Sequence, residues 1–255
     1  MSWDLGAGLD GRVAIVTGGL GGIGREVASA LATAGAAVAC VDARDGLDEV
    51  VAGLPGPGPH RAHRCDLADL AAQRELLARV HATFGRLDVL VHTAAVIRRR
   101  HDISEVTEED WDAQHDVNLR ATFFLARAAA DVMRAGGAGG RIVLFTSQSW
   151  QTGGFGGSVV YAATKGGVVS LTRGLARTYA AEGITVNAIA PGAVDTAMLR
   201  DDLDEAQLDA FVARIPLGRV ATPAEVAGTA VFLASQHAGY ITGATVDVTG
   251  GMLMH

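Results

Sequence analysis

The stretch Val13–Gly24, with the sequence VAIVTGGLGGIG, decides how the chain is organised. Its apolar residues Val13–Val16 are typical of a strand that is buried in a parallel sheet. A turn rich in glycine follows, and a helical pattern begins near Ile23 and continues to Ala32. A strand, a glycine turn and a helix in this order are the context that a dinucleotide-binding motif requires.

The glycines of this turn meet a chemical need. A pyrophosphate binds backbone N–H groups at the positive end of a helix dipole, and glycine lets the backbone come close to it. The spacing is Gly18-x3-Gly22-x-Gly24, which is one residue longer in its first gap than the G-x-G-x-x-G pattern. A plain tight turn can have the same composition, so the glycines alone leave both interpretations open.

Composition indicates a globular protein. The chain has 255 residues, of which 49% are hydrophobic and 19% charged. A formal net charge of −7 argues against nucleic acid or an anionic membrane as a main partner. No apolar run has the length of a membrane span and no signal-peptide pattern opens the chain, so we expect a cytoplasmic protein. Cys40 and Cys65 fall in predicted buried strands, which favours inert thiols over a disulfide.

Strand and helix patterns alternate along the chain. Further apolar runs predict strands over residues 36–41, 61–65, 87–91, 141–146, 184–189 and 246–248. This alternation predicts an α/β fold, a three-layer doubly wound parallel sheet of about seven strands with helices on both faces, which is Rossmann-like. We expect residues 1–255 to form a single domain, with a loose leader over 1–10 and a substrate lid over 195–215.

Helix boundaries are marked by local signals. Thr107–Asp110 resembles a capping box and predicts a helix that runs to about Arg134. Thr222–Glu225 combines an N-cap threonine, a proline at the first helical position and a glutamate at the third. Gly85 is expected to end the helix that the apolar spacing predicts over residues 68–84.

Asp42 ends the second predicted strand, downstream of the glycine turn. An acidic side chain at this place accepts hydrogen bonds from the adenosine ribose and repels a 2′-phosphate, so Asp42 favours NAD over NADP. Arg44 stands two residues further on and opposes this preference. A helix cap or a solvated turn residue is the alternative role for Asp42.

Tyr161 and Lys165 are four residues apart in a predicted helix, which places them on one face. An ammonium beside a phenol favours the phenolate and lowers the pKa of the tyrosine. Such a tyrosine can exchange a proton near neutral pH, which is general acid–base chemistry. The alternative is an ordinary surface pair whose lysine stem lies along the helix.

Together these motifs resemble the short-chain dehydrogenase/reductase superfamily, in its single-domain branch of this length. The resemblance covers nearly the whole chain. The residues that carry it are Thr17–Gly24, Asp66, Asn118, Ser147, Tyr161, Lys165, Pro191 and Gly192 with Thr196, and Tyr240–Gly243 before Gly250 and Gly251.

The resemblance implies a role for each matching residue. Tyr161 would be the proton donor or acceptor, and Lys165 would lower its pKa and bind the nicotinamide ribose. Ser147 would hold the substrate oxygen, Asn118 would support a water-linked proton relay to Lys165, and no metal is expected. The cofactor-binding residues that it implies are Gly18, Leu20, Gly22, Ile23, Gly24, Asp42, Asp66, Leu67, Ala94, Tyr161, Lys165, Pro191, Val194 and Thr196. By the same resemblance we expect a homotetramer.

The chain departs from the superfamily pattern in two places. His92-Thr93-Ala94-Ala95 stands where Asn-Asn-Ala-Gly is usual, which changes the hydrogen bonding beside the cofactor. We assign no role to His92, because a packed histidine at the end of a strand is common. Ser147 precedes Tyr161 by one residue more than usual, and Ser149 is the alternative serine. Ser147 is favoured because it directly follows a predicted strand.

We therefore expect an NAD-dependent oxidoreductase that interconverts a secondary alcohol and a ketone. The basic run Arg98–His101 is either a solvated loop or an attraction for an anionic substrate. With Val96 and Ile97 before it and Ile215–Arg219 later, it resembles branches that act on sugar acids, and a cyclic alcohol is another possible substrate. The alternative functions are a non-catalytic dinucleotide-binding regulator and an NADP-dependent 3-ketoacyl reductase.

Overall fold

The computed structural model describes residues 4–56, 58–200 and 205–254. Within these residues, the strands form one parallel sheet of seven strands. They are β1 (Val13–Thr17), β2 (Ala37–Asp42), β3 (Arg61–Arg64), β4 (Val89–His92), β5 (Gly140–Phe145), β6 (Ile184–Pro191) and β7 (Thr245–Val248). Their order across the sheet is β3-β2-β1-β4-β5-β6-β7, which confirms the predicted doubly wound fold.

Helices cover both faces of this sheet. They are α1 (Gly22–Thr33), α2 (Leu47–Ala52), α3 (Leu70–Phe84), α4 (Glu108–His115), α5 (Ala121–Gly136), α6 (Ser149–Thr152), α7 (Val159–Tyr179), α8 (Ala197–Arg200), α9 (Glu205–Val212) and α10 (Pro223–Ala234). Leu76 of α3, Leu125 of α5 and Val168 of α7 pack in the core on one face. Leu31 of α1 and Val231 of α10 pack on the other face. The two apolar layers leave the carboxyl ends of the strands as the open edge.

The helix that Thr107 begins contains a π turn. Thr107 and Asp110 form the predicted capping box, with both reciprocal hydrogen bonds present. The helix continues beyond the predicted end at Arg134, and Asp116–Arg120 forms a π turn between α4 and α5. Single π turns inside helices are frequent at functional sites. This one contains Asn118, which is fully buried.

The two central strands end side by side. β1 pairs with β4 so that Thr17 lies opposite His92. The glycine turn follows β1 directly, and α1 then returns along one face of the sheet. In open α/β sheets, ligands bind in the crevice beyond the carboxyl ends of such strands, where the chain departs in opposite directions. The sheet topology therefore places the site at this edge.

Some expectations are wrong or incomplete. Within the expected loose leader, Leu9 is only 1% exposed and belongs to the core, whereas Leu5 is 43% exposed. Residues 1–3 lie outside the described residues, as do residues 201–204 of the expected lid. Helices α2 and α6 were not predicted. Among the helices of the described ranges, none is long and apolar enough to span a membrane.

Candidate active site

A cavity of about 880 Å³ opens at the carboxyl edge of the sheet. The glycine turn, residues 18–24, lies at one end of it, and Ser147, Tyr161 and Lys165 lie at the other. All of the predicted cofactor-binding residues line this cavity, whereas Asn118 does not. The fold thus brings together side chains that are far apart in the sequence.

Two glycines of the turn, Gly18 and Gly24, have no room for a side chain. Gly18 has a positive φ of 71°, and a Cβ added to it would lie 2.8 Å from the hydroxyl of Thr93. A Cβ on Gly24 would collide with the carbonyl oxygen of Gly18. Helix α1 begins after Gly21 with no side-chain cap and no acidic residue in its first turn. Its first backbone N–H groups are therefore suited to hold the pyrophosphate of a dinucleotide.

Asp42 lies at the cavity as an ionised carboxylate. Its Oδ2 accepts a hydrogen bond from the backbone N–H of Leu20 at 3.1 Å, and its Oδ1 accepts one from Nε of Arg44 at 3.1 Å. Burial alone would raise the pKa of Asp42, but the hydrogen bonds from Arg44 and Leu20 hold it below its usual value. The side chain of Arg44 is 67% exposed, so the cation of this pair lies at the solvent side.

Tyr161 and Lys165 lie on one face of α7, as predicted. The ammonium of Lys165 is 5.5 Å from the centre of the Tyr161 ring. Lys165 is only 2% exposed, and its Nζ donates a hydrogen bond to the carbonyl oxygen of Phe145 at 2.8 Å. The hydroxyl of Thr146 donates in turn to the carbonyl oxygen of Lys165 at 2.7 Å. These bonds fix α7 against the end of β5.

The pKa shifts differ from our expectation. Burial raises the pKa of Tyr161 to about 12, and this outweighs the opposing effects of the hydrogen bond with Ser147 and of the charge of Arg99. Burial lowers the pKa of Lys165 to about 7. The expected lowering of the pKa of Tyr161 by Lys165 is therefore wrong for this structure, because desolvation dominates at both groups. Tyr161 holds its proton at neutral pH, and Lys165 titrates there.

The geometry favours Ser147 over Ser149 as the serine beside the acid–base residue. The side chain of Ser147 hydrogen-bonds with that of Tyr161. Its Oγ also accepts a hydrogen bond from the backbone N–H of Ser149 at 3.2 Å, which fixes its position. The buried hydroxyl of Ser149 has no hydrogen-bond partner among the described residues.

Asn118 is fastened by its side chain to the loop that follows β4. Its Nδ2 donates to the carbonyl oxygen of Val96 and its Oδ1 accepts from the N–H of Val96, both at 2.8 Å. Nδ2 also donates to Thr164 on α7 at 3.2 Å, directly before Lys165 in the chain. The amide of Asn118 therefore braces the site from outside the cavity, and its backbone carbonyl oxygen accepts a hydrogen bond from the hydroxyl of Thr122 at 2.7 Å.

The three arginines of the basic run have different surroundings in the structure. Arg98 lies 3.1 Å from Glu109 and Arg100 lies 2.8 Å from Asp110, so both face the acidic start of α4. Arg99 lines the cavity and donates to the carbonyl oxygen of Phe155 at 3.0 Å. The sequence could not distinguish the three arginines, because the partners that separate them lie in other elements.

Known proteins resemble this chain over almost its whole length. The family profile described as enoyl-(acyl carrier protein) reductase matches residues 18–253. D-threitol dehydrogenase of Mycolicibacterium smegmatis is 41% identical, over 98% of this chain and 96% of its own. The (3R)-3-hydroxyacyl-CoA dehydrogenase of Mus musculus is 39% identical, over 96% and 98%. A solved structure from Beutenbergia cavernae, described as a candidate NAD(P)-dependent gluconate 5-dehydrogenase with NADP at low occupancy, is 42% identical, covers 98% and 99%, and has a TM-score of 0.90.

Proposed function

The chain belongs to the short-chain dehydrogenase/reductase superfamily and is a nicotinamide-dependent oxidoreductase of CH–OH groups, and from this premise we propose that Tyr161 is its acid–base residue. The observation that supports this role is the contact of the Tyr161 side chain with Ser147 beside the buried ammonium of Lys165. The enzyme interconverts a secondary alcohol and a ketone. The nicotinamide supplies or accepts the hydride when it is bound.

The residues of the chain supply the proton. With a pKa of about 12, Tyr161 is protonated at neutral pH and donates to the developing alkoxide when a ketone is reduced. Ser147 hydrogen-bonds with Tyr161 and holds the substrate oxygen beside it. Lys165, with a pKa of about 7, can both give up and take a proton near neutral pH. In the oxidative direction the same groups remove the proton of the alcohol.

The proposal is tested by Tyr161→Phe, which keeps the ring and removes the hydroxyl. We expect turnover to fall by about 100- to 10,000-fold, the usual worth of a general acid–base residue, while NADH binding is retained. The matched control is Tyr240→Phe, since Tyr240 is fully exposed and away from the cavity. Steady-state rates and a fluorescence titration with NADH provide both readouts. A Tyr161→Phe variant with wild-type turnover would overturn the proposal.

We propose that NAD is preferred over NADP. The support is the ionised Asp42 at the cavity, which offers acceptors to ribose hydroxyls and repels a phosphate there. Arg44 lies beside it as the opposing cation. Fluorescence titration with NADH and NADPH decides the question, and tighter binding of NADPH would contradict the preference.

We propose that the substrate is a sugar acid, with Arg99 as the group that attracts its carboxylate. The support is the position of Arg99 on the cavity wall and the effect of its charge on the pKa of Tyr161. D-gluconate and D-threitol, with a cyclic alcohol, are suitable first assays. The alternative substrate class, that of a 3-ketoacyl reductase, is tested by assaying a 3-hydroxyacyl thioester with both cofactors. This assay is motivated by the (3R)-3-hydroxyacyl-CoA dehydrogenase that is 39% identical to this chain.

Replacing Arg99 tests the substrate class. We expect Arg99→Gln to raise KM for a sugar acid about tenfold or more, since a hydrogen bond to a charged group contributes about 1.5–3 kcal/mol, and to leave KM for a neutral polyol unchanged. Arg98→Gln is the matched control, because Arg98 faces Glu109 instead of the cavity. Equal effects of Arg99→Gln on charged and neutral substrates would exclude a carboxylate contact.

We also propose that residues 195–215 act as a lid and that the enzyme is a homotetramer. Met198 and Phe211 line the cavity, which supports a covering role for this segment. Trp111 on α4 and Ile103 just before α4 are large apolar side chains that the single chain leaves exposed. Light scattering of the purified protein gives the number of subunits.

A further inference from the structure

His92 joins the two central strands to the π turn through its ring nitrogens. Its Nδ1 lies 2.8 Å from the hydroxyl of Thr17 at the end of β1, and its Nε2 lies 2.9 Å from the hydroxyl of Thr122 at the start of α5. The hydroxyl of Thr122 donates to the backbone carbonyl oxygen of Asn118 at 2.7 Å. The N–H of Ala94 donates to the hydroxyl of Thr17 at 3.4 Å.

The direction of these bonds fixes the tautomer of His92. Thr122 has one hydroxyl proton and gives it to the Asn118 carbonyl, so it can only accept from His92. Nε2 therefore carries the ring proton, and Nδ1 accepts from Thr17. Burial, with a contribution from the charge of Lys165, lowers the pKa of His92 to about 3, so the ring stays neutral in any working buffer. The hydrogen bonds then run one way, from Ala94 to Asn118.

These bonds end at a group that matters for proton transfer. Asn118 lies within the π turn, where the regular bonding of the helix is interrupted, and the hydroxyl of Thr122 holds its carbonyl. The side chain of Asn118 reaches Thr164, which precedes Lys165 on α7. The carbonyl of Asn118 has two lone pairs, and Thr122 occupies one of them. Asn118 thus links His92, through Thr122, to the part of α7 that carries Lys165.

We propose that His92 is a positioning residue for proton transfer, which as the Nε2–H tautomer holds Thr122 and thereby Asn118, the residue whose side chain bonds to Thr164 next to Lys165. His92 occupies the position where the superfamily usually has asparagine. The asparagine side chain also offers one donor group and one acceptor. The inference depends on the proposed acid–base role of Tyr161 and the part proposed for Lys165.

The test uses His92→Leu, which keeps bulk and removes both nitrogens. We expect kcat to fall about 10- to 100-fold, as for other changes that displace groups of a site by a fraction of an ångström, with the Kd for NADH unchanged. Thr122→Val should lower kcat similarly, and the double variant should be no worse than either single one. His92→Gln restores one donor group and one acceptor and should recover part of the activity.

Thr172→Val is the matched control for Thr122→Val. Thr172 is equally buried and makes the same bond to a carbonyl four residues back, at 2.8 Å to Val168, but has no contact with His92. It should leave kcat unchanged. If His92→Leu does not fold, Thr122→Val carries the test. Wild-type kcat in Thr122→Val, or a loss of NADH affinity as large as the loss of kcat, would overturn the inference.

Lys165 is the only lysine in the sequence, which gives a direct spectroscopic readout. Protein labelled with [13C]lysine shows one lysine side-chain signal, and His92→Leu should shift its position while Thr172→Val should not. If Tyr161→Phe abolishes turnover but Thr122→Val has no effect on kcat or on this signal, only the role of His92 fails. If Tyr161→Phe is active, the proposed function itself fails.

Discussion

The two ends of the cavity are built in opposite ways. At the glycine turn, backbone atoms are close to one another: the N–H of Gly19 donates to Val41, that of Gly21 donates to Gly18, and a Cβ at Gly18 or Gly24 would clash. At the other end, hydrogen bonds of polar side chains fix the geometry. We call it the proton-transfer end, and it comprises Ser147, Tyr161 and Lys165 on the cavity wall together with the buried His92. The glycine turn depends on the absence of side chains at its glycines, and the proton-transfer end depends on the functional groups of its side chains.

This difference explains which changes each end tolerates. The glycine turn requires glycine wherever two backbone segments are in contact, so few other residues are tolerated at those positions. A side-chain network requires only donors and acceptors in place, so His92 and Thr93 can stand where asparagines are usual. We therefore expect added atoms at the glycine turn to cost cofactor binding, and removed groups at the proton-transfer end to cost turnover.

The largest expected effect is that of Lys165→Met at the proton-transfer end. Removing the ammonium takes away the group beside Tyr161, and we expect turnover to fall by about 100- to 10,000-fold. Lys165 is also proposed to bind the nicotinamide ribose, so Kd for NADH is expected to rise much less than turnover falls. Rates at saturating NADH, with a binding titration, separate the two. Retained turnover would show that this end does not depend on the amine.

The same variant should change how stability depends on pH. The pKa of Lys165 falls from 10.5 to about 7 on folding, so between these values the unfolded chain binds more protons than the folded one. The free energy of unfolding of the wild type should then rise with pH from about 7, by at most about 1.4 kcal/mol per unit. Lys165→Met lacks this slope and should be more stable at pH 7. Urea unfolding of both proteins at pH 7, 8 and 9 measures this slope. If the free energy of unfolding changed with pH equally in the wild type and in Lys165→Met, a lowered pKa of Lys165 would be contradicted.

The next largest effect is expected from Gly24→Ala at the glycine turn. The added Cβ collides with the carbonyl oxygen of Gly18 and lies 2.9 Å from the hydroxyl of Thr93. Relieving such overpacking costs about 1–3 kcal/mol, so we expect NADH affinity to fall by about 5- to 150-fold. The direct measurement is a fluorescence titration, with the lysine signal as a check that the proton-transfer end is unchanged.

Gly228→Ala is the control for this substitution. Gly228 lies in α10 with open space around it, so the same change should leave NADH binding intact and stabilise the helix by about 0.5–1 kcal/mol. If Gly24→Ala binds NADH as well as the control, close backbone approach is not what the turn provides.

Local signals made the backbone-built parts predictable from the sequence. The apolar runs gave the strands, and both capping boxes, at Thr107 and Thr222, form with their reciprocal bonds. Leu9 was misjudged because its burial depends on the core against which the segment packs. Parts that are held by local backbone geometry leave a local pattern, and parts that are held by tertiary contacts do not.

The proton-transfer end shows the limit most clearly. His92 bonds with a residue 75 positions earlier and another 30 positions later, and no spacing rule connects them. The pKa of Tyr161 was expected to fall and instead rises to about 12, because the pattern reveals the neighbouring charge but not the depth of burial. A residue type and its spacing identify candidate chemistry, while its electrostatics depend on the folded surroundings.

The smallest expected effect is at Arg44, where the two kinds of construction meet. The N–H of Leu20, in the glycine turn, and the guanidinium of Arg44 share the carboxylate of Asp42. Arg44→Ala removes the cation that opposes NAD preference, while the backbone N–H groups of Leu20 and residue 44 still donate to the two oxygens of Asp42. Because exposed ion pairs contribute about 0–1 kcal/mol, the ratio of NADPH to NADH dissociation constants should rise by at most about fivefold.

Arg64→Ala is the matched control for Arg44→Ala. Arg64 is equally exposed and pairs with Asp45 at 3.2 Å, but does not line the cavity. It should leave the ratio unchanged. Since both oxygens of Asp42 keep a backbone donor without the guanidinium, weaker NADH binding in Arg44→Ala would mean that the arginine side chain holds the carboxylate in its binding position. The glycine turn would then depend on a side chain after all, and the contrast between the two ends would be one of degree.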